Sequence, residues 1–213
     1  DYKNIEYIII DGASNDKTLQ IVEKYKNKIN ILLSERDSGI YDAMNKGINL
    51  ASGDIIGILN SDDKYVNERI LSNICNCFSK DSLIMGLYSD LNYVKENKII
   101  RVWKTGLIDE NAICRGKIIP HPTLFLRKQV YNKCGLYSPV YGNAADFEFI
   151  LRIILKYKIN LNYFDSFTVN MKVGGSSNKN YLNIFRQNIE IIKILKKYEV
   201  KFSFFYYFIL KVF

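Results

Sequence analysis

The sequence is short of the residues that build several kinds of site. It has four cysteines, one histidine and one tryptophan among 213 residues. Cys75, Cys77, Cys114 and Cys134 contain no C-x₂₋₄-C pair, because only Asn76 separates the closest two. That argues against a structural zinc site and against a disulfide framework. The thiols are expected to be buried or incidental in a reducing compartment. No run reaches the ~20 apolar residues of a spanning helix. No arginine-rich run, nucleic-acid motif or internal repeat is present, so nucleic acid is not an expected partner. No signal peptide is visible at Asp1, and the chain lacks an initiator Met, so a fragment is expected.

What is present suits one large domain with an appendage. Hydrophobic residues make up 48% of the chain, enough for a real core. Thirty basic residues against 22 acidic ones give +8, which favours anionic partners such as nucleotides and phospholipids. Gly53-Asp54-Ile55-Ile56-Gly57-Ile58-Leu59-Asn60-Ser61-Asp62-Asp63 is the central stretch. Its apolar run reads as a strand buried on both faces, which implies a parallel or mixed sheet between helices. The carboxylates then fall past the strand's carboxyl end, where open α/β sheets bind ligands. Two readings stand for Asn60 to Asp63: a divalent-cation and phosphate site, or a cap for the next helix.

Around this stretch, strands and helices alternate, as in βαβ units. Ile5 to Ile10 reads as a strand ending in the turn Asp11 to Asp16. A helix follows, and Asn30 to Ser34 reads as a second strand. Ile40 to Leu50 reads as a helix with Ile40, Ala43, Met44 and Ile48 on one face. Leu83 to Val94 and Lys98 to Trp103 read as a hairpin turning at Glu96-Asn97. Pro120 and Pro122 flank the lone His121 and restrict its backbone. Asn143 to Lys156 and Asn183 to Tyr198 read as helices, and Gly174 to Asn178 as a loop. Lys201 to Phe213 is almost wholly aromatic and aliphatic: it suits a membrane surface, a partner or the protein's own core.

Several of these stretches, taken in order, resemble family 2 glycosyltransferases. Tyr2 to Ser14 is similar to that family's second strand and its Asp-Gly-Gly-Ser turn. Ser34-Glu35-Arg36-Asp37-Ser38-Gly39-Ile40-Tyr41-Asp42-Ala43-Met44-Asn45-Lys46-Gly47 resembles a loop and helix of bacterial polysaccharide transferases. Asn60 to Asp63 stands where the family has Asp-x-Asp, and Asn143 to Phe147 where it has a catalytic acid. The resemblance runs from Tyr2 to about Ser177. It implies a GT-A fold: an α/β domain over residues 1–180 with a mixed, mainly parallel sheet flanked by helices. Residues 181–213 would form a C-terminal helix and amphipathic tail. The family's first strand and its Thr-Tyr-Asn segment, which holds the nucleotide base, have no counterpart after Asp1. Asn60 also departs from the family's first acid.

The resemblance implies inverting transfer of a sugar from a nucleoside diphosphate sugar, expected to be UDP-linked. The acceptor would be a saccharide or lipid-linked saccharide in cell-surface polysaccharide assembly. The expected location is cytoplasmic, peripheral on the inner face of the cell membrane. Asp146 would be the general base, with Glu148 in reserve; the alternative for Asp146 is a helix N-cap. Asp62 would hold Mg²⁺ or Mn²⁺. Asp11 would contact the base, and Arg36, Asp37, Lys46, Asn60 and Asp63 the rest of the donor. His121, Gly175 and Ser176 would form an acceptor or diphosphate loop. For each, a plainer role competes: a turn lock for Asp11, a solvated charge for Arg36 or Lys46, a cap for Asp63, a structural ring for His121. Two rival functions are a metal-dependent nucleotidyltransferase and a non-catalytic module of a membrane-bound assembly complex.

Overall fold

The structure, a computed structural model, describes residues 1–174 and 187–201, and the backbone of residues 181–186. Strand β1 (Ile8–Asp11) leads through α1 (Thr18–Glu23) to β2 (Ile31–Ser34) and α2 (Ile40–Leu50). Short strands β3 (Ile55–Gly57) and β4 (Lys64–Tyr65) precede α3 (Ile70–Lys80). The hairpin β5 (Gly86–Lys95) and β6 (Lys98–Trp103) follows, then α4 (Glu110–Cys114), β7 (Phe125–Arg127) and α5 (Lys128–Cys134). Helix α6 (Ala145–Leu151) runs on as a π turn over Arg152–Lys156. Strand β8 (Asn162–Lys172) and helix α7 (Tyr181–Lys197) complete the described elements.

The strands form two sheets. β1 and β2 pair in parallel, Ile8 opposite Ile31 and Asp11 opposite Ser34, with α1 as the crossover. The second sheet has six strands in the order β3-β7-β5-β8-β4, with β6 on β5. Its longest pairing, β5 with β8, is parallel; β3–β7, β5–β7, β4–β8 and β5–β6 are antiparallel. The mixed α/β architecture expected from the sequence is therefore the one observed.

Helix α2 fills the angle between the sheets. Met44 and Ile48 sit at (i, i+4) and enter the core with Ile56, Leu126 and Phe149. Its start needs Gly39, whose φ of 116° lies in a region that side chains disfavour. Helix α3 buries Ile70, Ile74 and Phe78 against Leu87 and Phe125 on the sheet. Helix α7 lays Ile191, Ile194 and Leu195 against Phe147 and Leu151 of α6.

Two expectations need correction. The stretch Ile55 to Leu59 is not a strand buried on both faces. Only Ile55–Gly57 is extended, and it ends one side of the sheet, antiparallel to β7. Ile56 is buried, but Gly57 and Leu59 are exposed. An apolar run says that burial is available, not which side will be covered. The first strand is also shorter than read: Ile5 and Tyr7 are exposed, and pairing begins at Ile8.

Candidate functional site

The candidate residues arrive from two directions. One group stands at the carboxyl ends of β1 and β2. Asp11 closes β1 and is only 6% exposed. Its Oδ2 accepts from the Ser14 amide at 3.0 Å and the Ser34 hydroxyl at 2.7 Å. The Ser14 hydroxyl and then Ser34 hold this carboxyl below the usual range, against the cost of burial. The carboxylate thus locks its own turn. Beside it, Gly12 leaves room for Asp37: a Cβ on Gly12 would collide with the Asp37 carboxylate. Asp37 Oδ1 also accepts from the Gly39 amide at 2.9 Å, tying the loop to the start of α2.

Arg36 is exposed on that loop. Lys46 reaches back from α2 to it, donating to the Arg36 carbonyl at 3.0 Å and pairing with Glu35 at 2.8 Å and Asp42 at 3.4 Å. Glu35 first, then Asp42, raises the Lys46 pKa. Lys46 is thus engaged with its own loop.

The second group gathers where β3, β8 and the turn before β7 meet. Asp63 is as buried as Asp11, at 6% exposure, while Asp62 is exposed. Asp63 accepts from Asn60 Nδ2 at 3.1 Å and from the Lys172 amide of β8 at 3.2 Å. These neutral donors do not offset its desolvation, so its pKa is raised, with the adjacent Asp62 adding to the rise. The Asp63 carboxylate is satisfied by β8 and Asn60, so it is not a cap for the next helix: α3 starts at Ile70, with Arg69 as its N-cap.

His121 opens a 3₁₀ turn, and its Nδ1 is buried with no hydrogen-bond partner. Burial lowers its pKa, opposed by the charges of Asp146 and then Asp63. The ring therefore lies within the field of both carboxylates. Asp146 is partly exposed in the first turn of α6; the N-cap there is Ala144, so Asp146 does not serve as the cap. The Tyr41 phenol of α2 is buried near Asp146, and that burial, with the negative neighbour, raises the Tyr41 pKa. Glu148 cannot stand in for Asp146. It is buried under α7, paired with Arg152 at 3.1 Å and Lys197 at 3.1 Å, and accepts from the Tyr198 hydroxyl at 2.6 Å. Two residues along a helix turn the side chain to another face.

Sequence reasoning missed how α2 organises this group. Tyr41 and Asn45 share one face at (i, i+4). Asn45 brackets the backbone of Tyr137, donating to its carbonyl at 2.8 Å and accepting from its amide at 3.0 Å. The Tyr41 and Tyr137 rings pack with centroids 5.7 Å apart, just before the segment that carries Asp146. The polar (i, i+4) pair was the available signal. Asp90 was also missed: a fully buried carboxylate taken up by the Thr105 amide, the Tyr163 phenol and Lys104. Gly175, Ser176 and the tail from Phe202 to Phe213 lie outside the described residues.

Among the described residues no three His, Cys, Asp or Glu side chains converge as a ready-made metal cage. Asp62 and Asp63 offer two adjacent carboxylates, one raised in pKa. That suits a hard cation that keeps water and takes phosphate oxygens as its other ligands, as Mg²⁺ does.

Comparison with known proteins bears on the family and the fold. Residues 1–79 match the family model for Glycosyl transferase family 2. An uncharacterized glycosyltransferase of Mycobacterium tuberculosis is 32% identical over 152 residues, covering 71% of this chain and 58% of its own. The chain thus spans somewhat more than half the length of that relative. Staphylococcus aureus TarS 1–349 in complex with UDP-GlcNAc matches 89% of this chain and 57% of its own, with a TM-score of 0.67 and 19% identity. The mannosyltransferase PcManGT of Pyrobaculum calidifontis, in complex with GDP-Man and Mn²⁺, matches 90% of this chain and 54% of its own, with a TM-score of 0.63 and 15% identity. At such identities these structures speak for the fold.

Proposed function

The chain belongs to glycosyltransferase family 2 and has the GT-A fold, and from that premise we propose that it transfers a sugar from a nucleoside diphosphate sugar, UDP-linked, to a saccharide hydroxyl with inversion. The reading is carried by the family match over residues 1–79, which takes in Asp11, Asn60, Asp62 and Asp63, and by the partly exposed Asp146 carboxylate in the first turn of α6. A base and a phosphate-facing acid group are needed side by side, because the acceptor must attack the carbon that bears the leaving diphosphate.

Asp146 takes the proton of the acceptor hydroxyl as that oxygen bonds to the anomeric carbon. The bond from that carbon to the diphosphate oxygen breaks, and the electron pair leaves with the nucleoside diphosphate. Attack from the face opposite the leaving group inverts the centre. Tyr41 sets its phenol near the Asp146 carboxylate. Asp62, with Asp63 behind it, would hold Mg²⁺ or Mn²⁺, whose chemistry is to neutralise charge on the leaving diphosphate. Asn60 and Asp63 orient donor hydroxyls, while Asp11 and the Arg36–Asp37 loop, braced by Lys46, line the nucleotide side. His121 presents its unpaired nitrogen to the diphosphate or acceptor, with Gly175 and Ser176 in the same loop role. The setting we propose is cell-surface polysaccharide assembly on a saccharide or lipid-linked acceptor, because Ser34 to Gly47 resembles transferases of that kind.

The test is donor hydrolysis over a panel of nucleotide sugars, with Mn²⁺, Mg²⁺ or chelator, on the folded full-length protein. Metal-dependent release of a nucleoside diphosphate is expected. Release of pyrophosphate from a nucleoside triphosphate would transfer the site to nucleotidyl chemistry. Absence of any metal-dependent nucleotide binding would end the transferase reading in favour of a non-catalytic module.

A further inference from the structure

The β5–β6 hairpin is an unusual surface. Its turn, Glu96-Asn97, has both residues at positive φ, 49° and 62°, which suits a tight two-residue hairpin. Its turn extends past the β5–β8 pairing, which ends at Val94, while β6 from Ile99 on runs along β5 as an edge strand. Ile99, Ile100 and Val102 are 58%, 55% and 53% exposed. Among the described residues β6 pairs only with β5, so its outer edge is open. Lys95, Lys98 and Arg101 stand near the turn of the hairpin with one acid, Glu96; the hairpin's other acid, Asp90, is fully buried. Trp103 is partly exposed and stacks on Tyr93, with ring centroids 6.3 Å apart, and Arg101 covers that ring at 5.4 Å.

Isoleucines, a tryptophan and cations on one edge hairpin match the chemistry of a bilayer interface. Aliphatic groups enter the acyl boundary, the indole sits at headgroup level, and the cations meet anionic phosphates. The hairpin also adjoins the candidate site. Val94 is paired across β5–β8 with Lys172, whose amide donates to Asp63. We propose that the β5–β6 hairpin is a docking surface for an anionic lipid bilayer and holds the mouth of the site against that surface. The charge of the hairpin selects this occupant over a second copy: pairing two β6 edges would bring two cationic strands together. The proposal does not need turnover, and so stands or falls apart from the transferase reading.

Trp103 is the chain's only tryptophan, so its emission reports on this hairpin alone. The full chain is titrated with vesicles of phosphatidylcholine containing about one-third phosphatidylglycerol by mole, which gives a negative surface potential, and with phosphatidylcholine alone. A blue shift is expected with the anionic vesicles only, with quenching by brominated acyl chains and reversal by high salt. Lys98→Glu with Arg101→Glu should weaken co-sedimentation by about tenfold or more. Ile99→Ser with Ile100→Ser should reduce the blue shift, with far-UV circular dichroism unchanged. Unchanged Trp103 emission on wild-type protein that still sediments with vesicles would overturn the proposal, since another segment would be docking. Unchanged partition of the charge-reversed variant would overturn it too. So would light scattering in which wild type is a dimer and these variants are monomers.

Discussion

Asp11, at the end of β1, and Asp63, just before β4 of the other sheet, each show 6% exposure, yet their carboxyl groups are shifted in opposite directions. Asp11 is served by the Ser14 and Ser34 hydroxyls and the Ser14 amide, and is held ionised. Asp63 has an amide side chain and one strand amide, beside the charge of Asp62. For Asp63 desolvation outweighs its two neutral donors, with Asp62 adding to the rise, whereas for Asp11 the serine donors outweigh the cost of burial. The Asp11 side is a finished turn. The Asp63 side sets a buried carboxyl of raised pKa beside the charge of Asp62, which is where a cation or a polar ligand would gain most.

The contrast breaks most visibly if chemistry does not lie on the Asp63 side. Asp146→Asn should lower transfer by about 10²–10⁴-fold with donor affinity nearly intact. Titration calorimetry beside an activity assay separates the two, and lost affinity would move Asp146 out of the base role. On the other side, Asp11→Asn should cost about 1–3 kcal/mol of stability, measured by urea denaturation, because the turn's hydroxyl and amide donors lose a charged acceptor. The depressed Asp11 pKa gives stability that is present above its ordinary value of 3.8 and lost as pH falls through the lowered value. The gap between wild type and Asp11→Asn should narrow in acid.

Tyr41→Phe removes the phenol near Asp146 and keeps the ring on Tyr137. A fall in turnover of roughly tenfold is expected, with little change in melting temperature. The smallest effect sharpens the contrast most. Asp63→Asn, in chelator, should be at least as stable as wild type at neutral pH, within about 0.5 kcal/mol. A raised pKa gives stability that is present below 3.8 and lost as pH rises through the raised value. Wild type should therefore gain on this variant as pH falls, the reverse of Asp11→Asn. Parallel melting curves for the two variants from pH 3.5 to pH 7 (an interval of about three units around the carboxylate range) would erase the distinction between the two acids.

Much was legible in the chain before any contact was known. Periodicity located α2, α6 and α7 closely, and the hairpin turn at Glu96-Asn97 followed from local chemistry. The βαβ unit through α1 and the order of the family's motifs were also readable, because each depends on residues near one another in sequence. Three things were decided by tertiary structure. The apolar run at Ile55 became a short strand at one end of the sheet, because β7 pairs on one side only among the described residues. Glu148 turned away from Asp146 to meet Lys197, 49 residues later. Asp11 and Asp63 diverged through Ser34, 23 residues from Asp11, and Lys172, 109 residues from Asp63. A sequence pattern records which residues prefer burial or charge. The donors that reach a buried acid come from distant strands and helices, and only packing brings them there.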